Sequence, residues 1–176
     1  MQELGVADEV DHGDRGVEPL GQAMQVELLV EVGRLAQAAD DLDEAREQAR
    51  HCKACPLWEP ATQTVFGEGP ADAPVIFVGE QPGDQEDLAG HPFVGPAGEI
   101  LAEAMGKAGL AREEVWLTNA VKHFKFKPQM TARGGKRRLH QNPDRAEIDI
   151  CKWWLDLEQR FIQPKLTLAL GGTAAY

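Results

Sequence analysis

Pro74-Val75-Ile76-Phe77-Val78-Gly79 is a short, apolar, β-branched run closed by glycine. That is the pattern of a strand buried on both faces of a parallel sheet. A loop rich in Gly, Pro and Asp follows it. Gly98 to Gly109 then reads as a helix with Ile100, Leu101, Ala104, Met105 and Ala108 on its inner face. Val115-Trp116-Leu117-Thr118-Asn119-Ala120-Val121 reads as a second strand. After a long basic loop, Ala146 to Phe161 forms another helix, and Leu166-Thr167-Leu168-Ala169-Leu170-Gly171-Gly172 is a third strand ending in a glycine turn. Strands alternating with helices imply right-handed βαβ units, so the expected fold is α/β, a three-layer α/β/α domain around a central parallel sheet. Ligands of such sheets sit at the carboxyl ends of the strands. That rule gathers residues 79–84, 119–123 and 171–173 around one crevice. The chain stops at Tyr176, where a third helix should begin, so the expectation is that the C-terminal part of the domain is missing.

Upstream of the first strand, apolar residues from Gln25 to Arg50 recur at spacings of three and four, which describes an amphipathic helix with a break near Asp40 and Asp41. The domain is therefore expected over residues 25–176. Residues 1–24 mix acids with glycines and show no period of either kind, and they read as a disordered acidic extension.

The formal charge of -11 argues against nucleic acid only if it is spread evenly. Residues 1–50 hold thirteen acidic and four basic side chains, whereas residues 122–145 hold eight basic side chains and one acid, Asp144. The local basic segment is the informative signal. No run of eighteen apolar residues occurs and the N-terminus lacks the order of a signal peptide, so no membrane association and a cytoplasmic location are expected. Three cysteines in a reducing compartment cannot close a disulfide framework. Two of them stand as Cys52-Lys53-Ala54-Cys55, which points to a metal or redox site.

The loop from Gly79 to Asp87 packs acids at a strand end and, taken alone, suits a surface turn or a magnesium site. It continues into Gly90-His91-Pro92-Phe93-Val94-Gly95-Pro96-Ala97-Gly98. This whole run resembles the first active-site motif of the uracil-DNA glycosylase superfamily, in its family 4 and UdgX groups. The resemblance implies that Asp84 is the acid beside the scissile glycosidic bond, that Gln81 and Gly83 contact the base, and that Phe93 stacks on a flipped uracil. The chemistry is apt, since departure of uracil leaves a positively charged sugar that a carboxylate stabilises. An aromatic plate is what an extruded base requires. Thr118-Asn119-Ala120-Val121-Lys122-His123 resembles the next family segment, in which Asn119 reads the uracil edge with both a donor and an acceptor.

The same resemblance implies a four-iron, four-sulfur cluster held by Cys52, Cys55, His123 and Cys151. His123 stands where family 4 has a cysteine, a substitution shared by the UdgX group. Spacing alone suits structural zinc equally well. Gly134-Gly135-Lys136-Arg137-Arg138-Leu139-His140 resembles the insertion that defines the UdgX group. It implies that His140 attacks C1′ of the deoxyribose once uracil has left, with Glu80 orienting the ring or taking its proton. Lys136, Arg137 and Arg138 would bind phosphate, or Arg138 would hold the loop shut. The expected partner is uracil-containing DNA, preferably single-stranded, bound by a monomer. Two other readings stay open: a turnover glycosylase of family 4 type, in which Asp84 positions water, and a cluster- or zinc-stabilised DNA-binding module without catalysis. The resemblance covers residues 46–176, and no His-Pro-Ser motif, which in the family contacts the uracil carbonyl, follows within them.

Overall fold

The computed structural model describes residues 39–131 and 134–176. The expected extension over residues 1–24, and the helix expected from Gln25 as far as residue 38, lie outside the described residues.

Strands β1 (Val75–Gly79), β2 (Trp116–Asn119) and β5 (Leu166–Ala169) form a parallel sheet in the order β2-β1-β5. The register pairs Ile76 with Trp116, Phe77 with Leu117 and Gly79 with Asn119. Alternation along β1 then decides what covers each face. Ile76 and Val78, with Trp116, pack into a cluster containing Ala45 and Ala49 of helix α1 (Leu42–Arg50) and Ile150, Trp154 and Leu157 of α4 (Arg145–Ile162). Phe77 and Leu117 point the other way, onto Leu101 and Met105 of α3 (Pro96–Lys107). Two apolar clusters on opposite faces of one sheet make the expected three layers.

Helix boundaries follow local chemistry. The expected break near Asp40 and Asp41 is a helix start, where the Asp41 side chain accepts the Glu44 amide at 2.8 Å. Asp144 and Glu147 form a reciprocal capping box that opens α4. A short helix, α2 (Asp84–Ala89), occupies part of the loop after β1 and ends at Gly90, whose φ of 80° places it in the left-handed region.

Several expectations are corrected. Ile100, Ala104 and Ala108, expected on the inner face of α3, are exposed, and of that set only Leu101 and Met105 are buried. The stretch from Phe124 to Arg145 is not a plain loop. It contains an antiparallel hairpin of β3 (Phe126–Met130) and β4 (Lys136–His140), paired from Phe126 opposite His140 to Met130 opposite Lys136. Pro128 is tolerated because a two-stranded ribbon leaves unpaired edges. β5 is an edge strand with Leu166 and Leu168 exposed, and it ends at Ala169 rather than reaching Gly172.

Candidate active site

β1 and β2 end side by side, and the site grows from that point. Gly79 has no side chain where one could not fit, since a Cβ there would overlap Asn119 Oδ1 and come within 2.8 Å of Phe93 Cζ. Asn119, 4% exposed, and Phe93 therefore meet across the floor of a cavity of about 390 Å³, which Gln81, Asp84, Arg138 and His140 also line. Among the described residues the Asn119 amide makes no side-chain hydrogen bond, which leaves its donor and acceptor for a ligand. Phe93 is held in an unusual backbone state, with φ of 54°. Two Arg112 nitrogens donate to the Pro92 and Phe93 carbonyls at 2.7 and 3.2 Å, and the bare Gly98 lets the Phe93 carbonyl approach.

The hairpin closes one side of this cavity. Alternation places Arg138 and His140 on one face of β4. Arg138 donates to the Asp84 side chain and main-chain carbonyl and to Asp87, which is fully buried. Burial pulls the Arg138 pKa down, but Asp87 and Asp84 outweigh it and hold the guanidinium above its ordinary value. The same guanidinium lies over the Phe124 and Phe126 rings at 5.4 and 5.1 Å. Arg138 is thus the clamp that fastens the hairpin to α2. Lys136 and Arg137 are exposed and make no ion pair among the described residues.

His140, at the end of β4, brings Nε2 to 3.0 Å from Glu80 Oε1, and the Thr173 hydroxyl donates to the other Glu80 oxygen at 2.8 Å. The strand-end rule thereby gathers residues 80 and 173, as expected. Gln81 serves the hairpin: its Oε1 accepts the Lys125 amide at 2.9 Å and its Nε2 donates to Gln141 O at 2.8 Å, beside the His140 ring. Gly83 starts α2 and lines the cavity. Asp87 and Gln141 were missed as site residues, because each acts through a contact 51 or more residues distant in sequence. A larger groove of about 560 Å³, lined by Arg46, Arg50, Phe66 and His91, contains none of the expected catalytic or base-contacting residues.

His123 does not share the cavity. It is buried, and Cys52, Cys55 and Cys151 sit together in the apolar cluster that α1 and α4 build on one face of the sheet, all three as free thiols. Cys52 follows α1, Cys55 precedes a 3-10 turn at Pro56–Trp58, and Cys151 projects from α4. Burial, followed by its Cys55 and Cys52 neighbours, pushes the Cys151 thiol far up; burial pushes Cys55 up to about 12, against the helping Leu57 amide. Two N–H groups already aim at sulfur, Lys122 N at Cys151 (3.2 Å) and Trp154 Nε1 at Cys52 (3.3 Å). Burial lowers the His123 pKa to about 4, so the ring is neutral, and its Nδ1 is buried without a hydrogen-bond partner. Three sulfurs and one free imidazole nitrogen are donor types that suit an iron-sulfur cluster, whose ligands stand farther apart than those of a single zinc ion. Among the described residues no three His, Cys, Asp or Glu side chains close round a point as a single-ion cage would.

The fold and site together define an α/β/α domain with a ligand cavity at the carboxyl ends of its strands and a buried sulfur-rich centre behind the sheet. The uracil DNA glycosylase superfamily matches residues 66–176. Among curated proteins, the type-4 uracil-DNA glycosylase of Sulfurisphaera tokodaii is 38% identical over 133 residues, 75% of this chain and 55% of that protein. The type-4 enzyme of Thermotoga maritima is 38% identical over 73% of this chain and 60% of its own length, and that of Archaeoglobus fulgidus 35% over 77% and 62%. The chain belongs to the uracil DNA glycosylase superfamily, and it spans somewhat more than half the length of these relatives. Among the described residues no helix is long and apolar enough to cross a membrane.

Proposed function

We propose that this chain excises uracil from DNA and that His140 then captures the sugar covalently, as in the UdgX group. The observation that carries the reading is the placement of His140, paired with Glu80, on the cavity that Asn119, Phe93 and Asp84 also line. An extruded uracil stacks on Phe93 and offers its edge to Asn119. The glycosidic bond breaks with its electron pair leaving on uracil, and the Asp84 carboxylate stabilises the cationic sugar. The neutral imidazole of His140 donates a lone pair to C1′. Positive charge passes from sugar to ring, beside Glu80.

Lys136 and Arg137 on the exposed hairpin bind phosphate without reading sequence, and Arg138 keeps the hairpin docked. A single strand is the preferred substrate because no base pair must open, and the protein acts as a monomer. Cys52, Cys55, His123 and Cys151 hold a four-iron, four-sulfur cluster, which joins three separate segments and serves as a structural centre.

The test is release of free uracil from a single-stranded oligonucleotide containing one uracil, measured by mass spectrometry. Binding without release would make the chain a DNA-binding module. Release with repeated turnover and no adduct would assign it to the family 4 type.

A further inference from the structure

We propose that Thr64 fixes the tautomer of His123 and so assigns the metal-binding lone pair of that ring to Nδ1, an inference that rests on the cluster reading above. Thr64 Oγ1 lies 2.9 Å from the Ala49 carbonyl oxygen and 2.9 Å from His123 Nε2. A carbonyl oxygen can only accept, so the single hydroxyl proton goes to Ala49. The hydroxyl oxygen then has only lone pairs to offer the ring, and Nε2 must carry the imidazole proton. A neutral imidazole has one such proton, which leaves Nδ1 with an exposed lone pair in the chemical sense while sterically it is buried.

That nitrogen has no hydrogen-bond partner in a residue only 3% exposed. Buried polar atoms are seldom left in that condition unless something else uses them. The opposite tautomer would put an N–H at the same place with nothing to accept it, which is the costlier arrangement. Position agrees with chemistry. The Ala49 carbonyl that takes the Thr64 proton also accepts the Cys52 amide at 3.1 Å, and Lys122, the residue before His123, donates its amide to Cys151 Sγ. Ala49, Thr64 and His123 therefore connect the segment that carries Cys52 with the segment that faces Cys151. Ligating histidines are commonly oriented by a partner on the far ring nitrogen, and Thr64 fills that place here. It touches no metal and is a positioning residue.

The experiment uses the full chain, purified anaerobically, with histidine labelled by nitrogen-15 either at Nδ1 alone or at Nε2 alone. The cluster is reduced with dithionite and examined by pulsed electron paramagnetic resonance. Strong hyperfine coupling is expected from the Nδ1 label and only a much weaker one from Nε2. Stronger coupling from Nε2 than from Nδ1, or coupling from neither, on a brown iron-containing protein would overturn the inference while leaving the cluster in place. A protein that binds no iron would overturn both. Thr64→Val is expected to weaken the Nδ1 coupling and shift the reduction potential, and Thr64→Ser to restore both. An unchanged spectrum and potential in Thr64→Val would remove Thr64 from its role. Should Thr64→Val fail to fold, the two labelled forms of the unaltered protein still decide which nitrogen binds.

Discussion

His140 Nε2 stands 3.0 Å from Glu80 Oε1, although the two residues are 60 apart in sequence. The contact exists because the residue after β1 and the last residue of β4, which lines the cavity, meet where the hairpin docks on the sheet. A carboxylate beside an imidazole stabilises the ring when it becomes cationic. Glu80→Gln keeps the shape and removes the charge. Adduct formation should slow by on the order of 10²-fold, the scale of losing one electrostatic stabiliser. Uracil release, which the proposed mechanism assigns to Asp84 and the base contacts, should change far less, and single-turnover time courses of both products check this.

Gly79→Ala probes the base pocket without touching the hairpin. The added methyl would displace the ends of Asn119 and Phe93, which it cannot avoid. Uracil release is expected to fall by about 10²-fold or more, in keeping with loss of substrate positioning, with most of the change in the rate at subsaturating DNA. Salt-dependent affinity for undamaged DNA should be unaltered. Equal loss of both would mean that the substitution disturbs the sheet and not the pocket.

The basic residues of the hairpin divide into a clamp, Arg138, and the proposed DNA contacts, Lys136 and Arg137. Arg138→Ala leaves the buried Asp87 with only the Thr62 amide, at 3.0 and 3.2 Å from its two oxygens. Removing one partner of a buried charge pair costs about 3 kcal/mol. Thermal unfolding should report that loss, and hydrogen exchange should place it in the hairpin. Lys136→Ala with Arg137→Ala should leave stability intact, lower affinity for all DNAs alike, and make the logarithmic salt slope shallower by about 1 to 2 units. An unchanged slope would mean that these two side chains face solvent in the complex.

The sulfur centre gives a pH dependence with a definite sign. In metal-stripped, reduced protein the buried Cys55 thiol titrates near 12, against an ordinary value of 9.0 in the unfolded chain. Between those values the unfolded chain has lost a proton that the folded chain retains, so the stripped protein loses stability as pH rises above about 9. Below that pH this contribution is fully present. Loaded protein has its thiols already ionised by metal and should lack this fall, while losing metal more readily in acid as protons compete for sulfur. Chemical denaturation of both forms across pH 7 to 11 checks the contrast. Metal analysis of the loaded form distinguishes iron from zinc.

The central sheet was legible because Val75 to Val78 and Trp116 to Leu117 are apolar on both faces, a pattern that few other structures need. The hairpin was not, because its strands are largely exposed and carry charges and Pro128, which suppress the usual strand signal. Gly134-Gly135 was the available clue: Gly134 has φ of 78° and the Thr131 amide pairs with the Gly135 carbonyl across the turn. Asp84 and Asn119 were legible from strand ends and Phe93 and His140 from the family resemblance, and all four line one cavity. Their supports were hidden. Asp87, Thr64 and Arg112 are ordinary residues in sequence, and only the fold brings them against Arg138, His123 and the Phe93 carbonyl.

The most direct measurement is a denaturing gel of the protein incubated with a single-stranded oligonucleotide containing one uracil, with free uracil measured in the same samples. The unaltered protein is expected to run as a covalent adduct with the DNA and to release one uracil per adduct. His140→Ser should lose the adduct, keep releasing uracil and leave abasic sites. Asp84→Asn should slow release itself by on the order of 10²-fold, so that neither product accumulates. An adduct that persists in His140→Ser would make another residue the nucleophile. Loss of release together with the adduct would place His140 in base departure and contradict the order of steps proposed for this site.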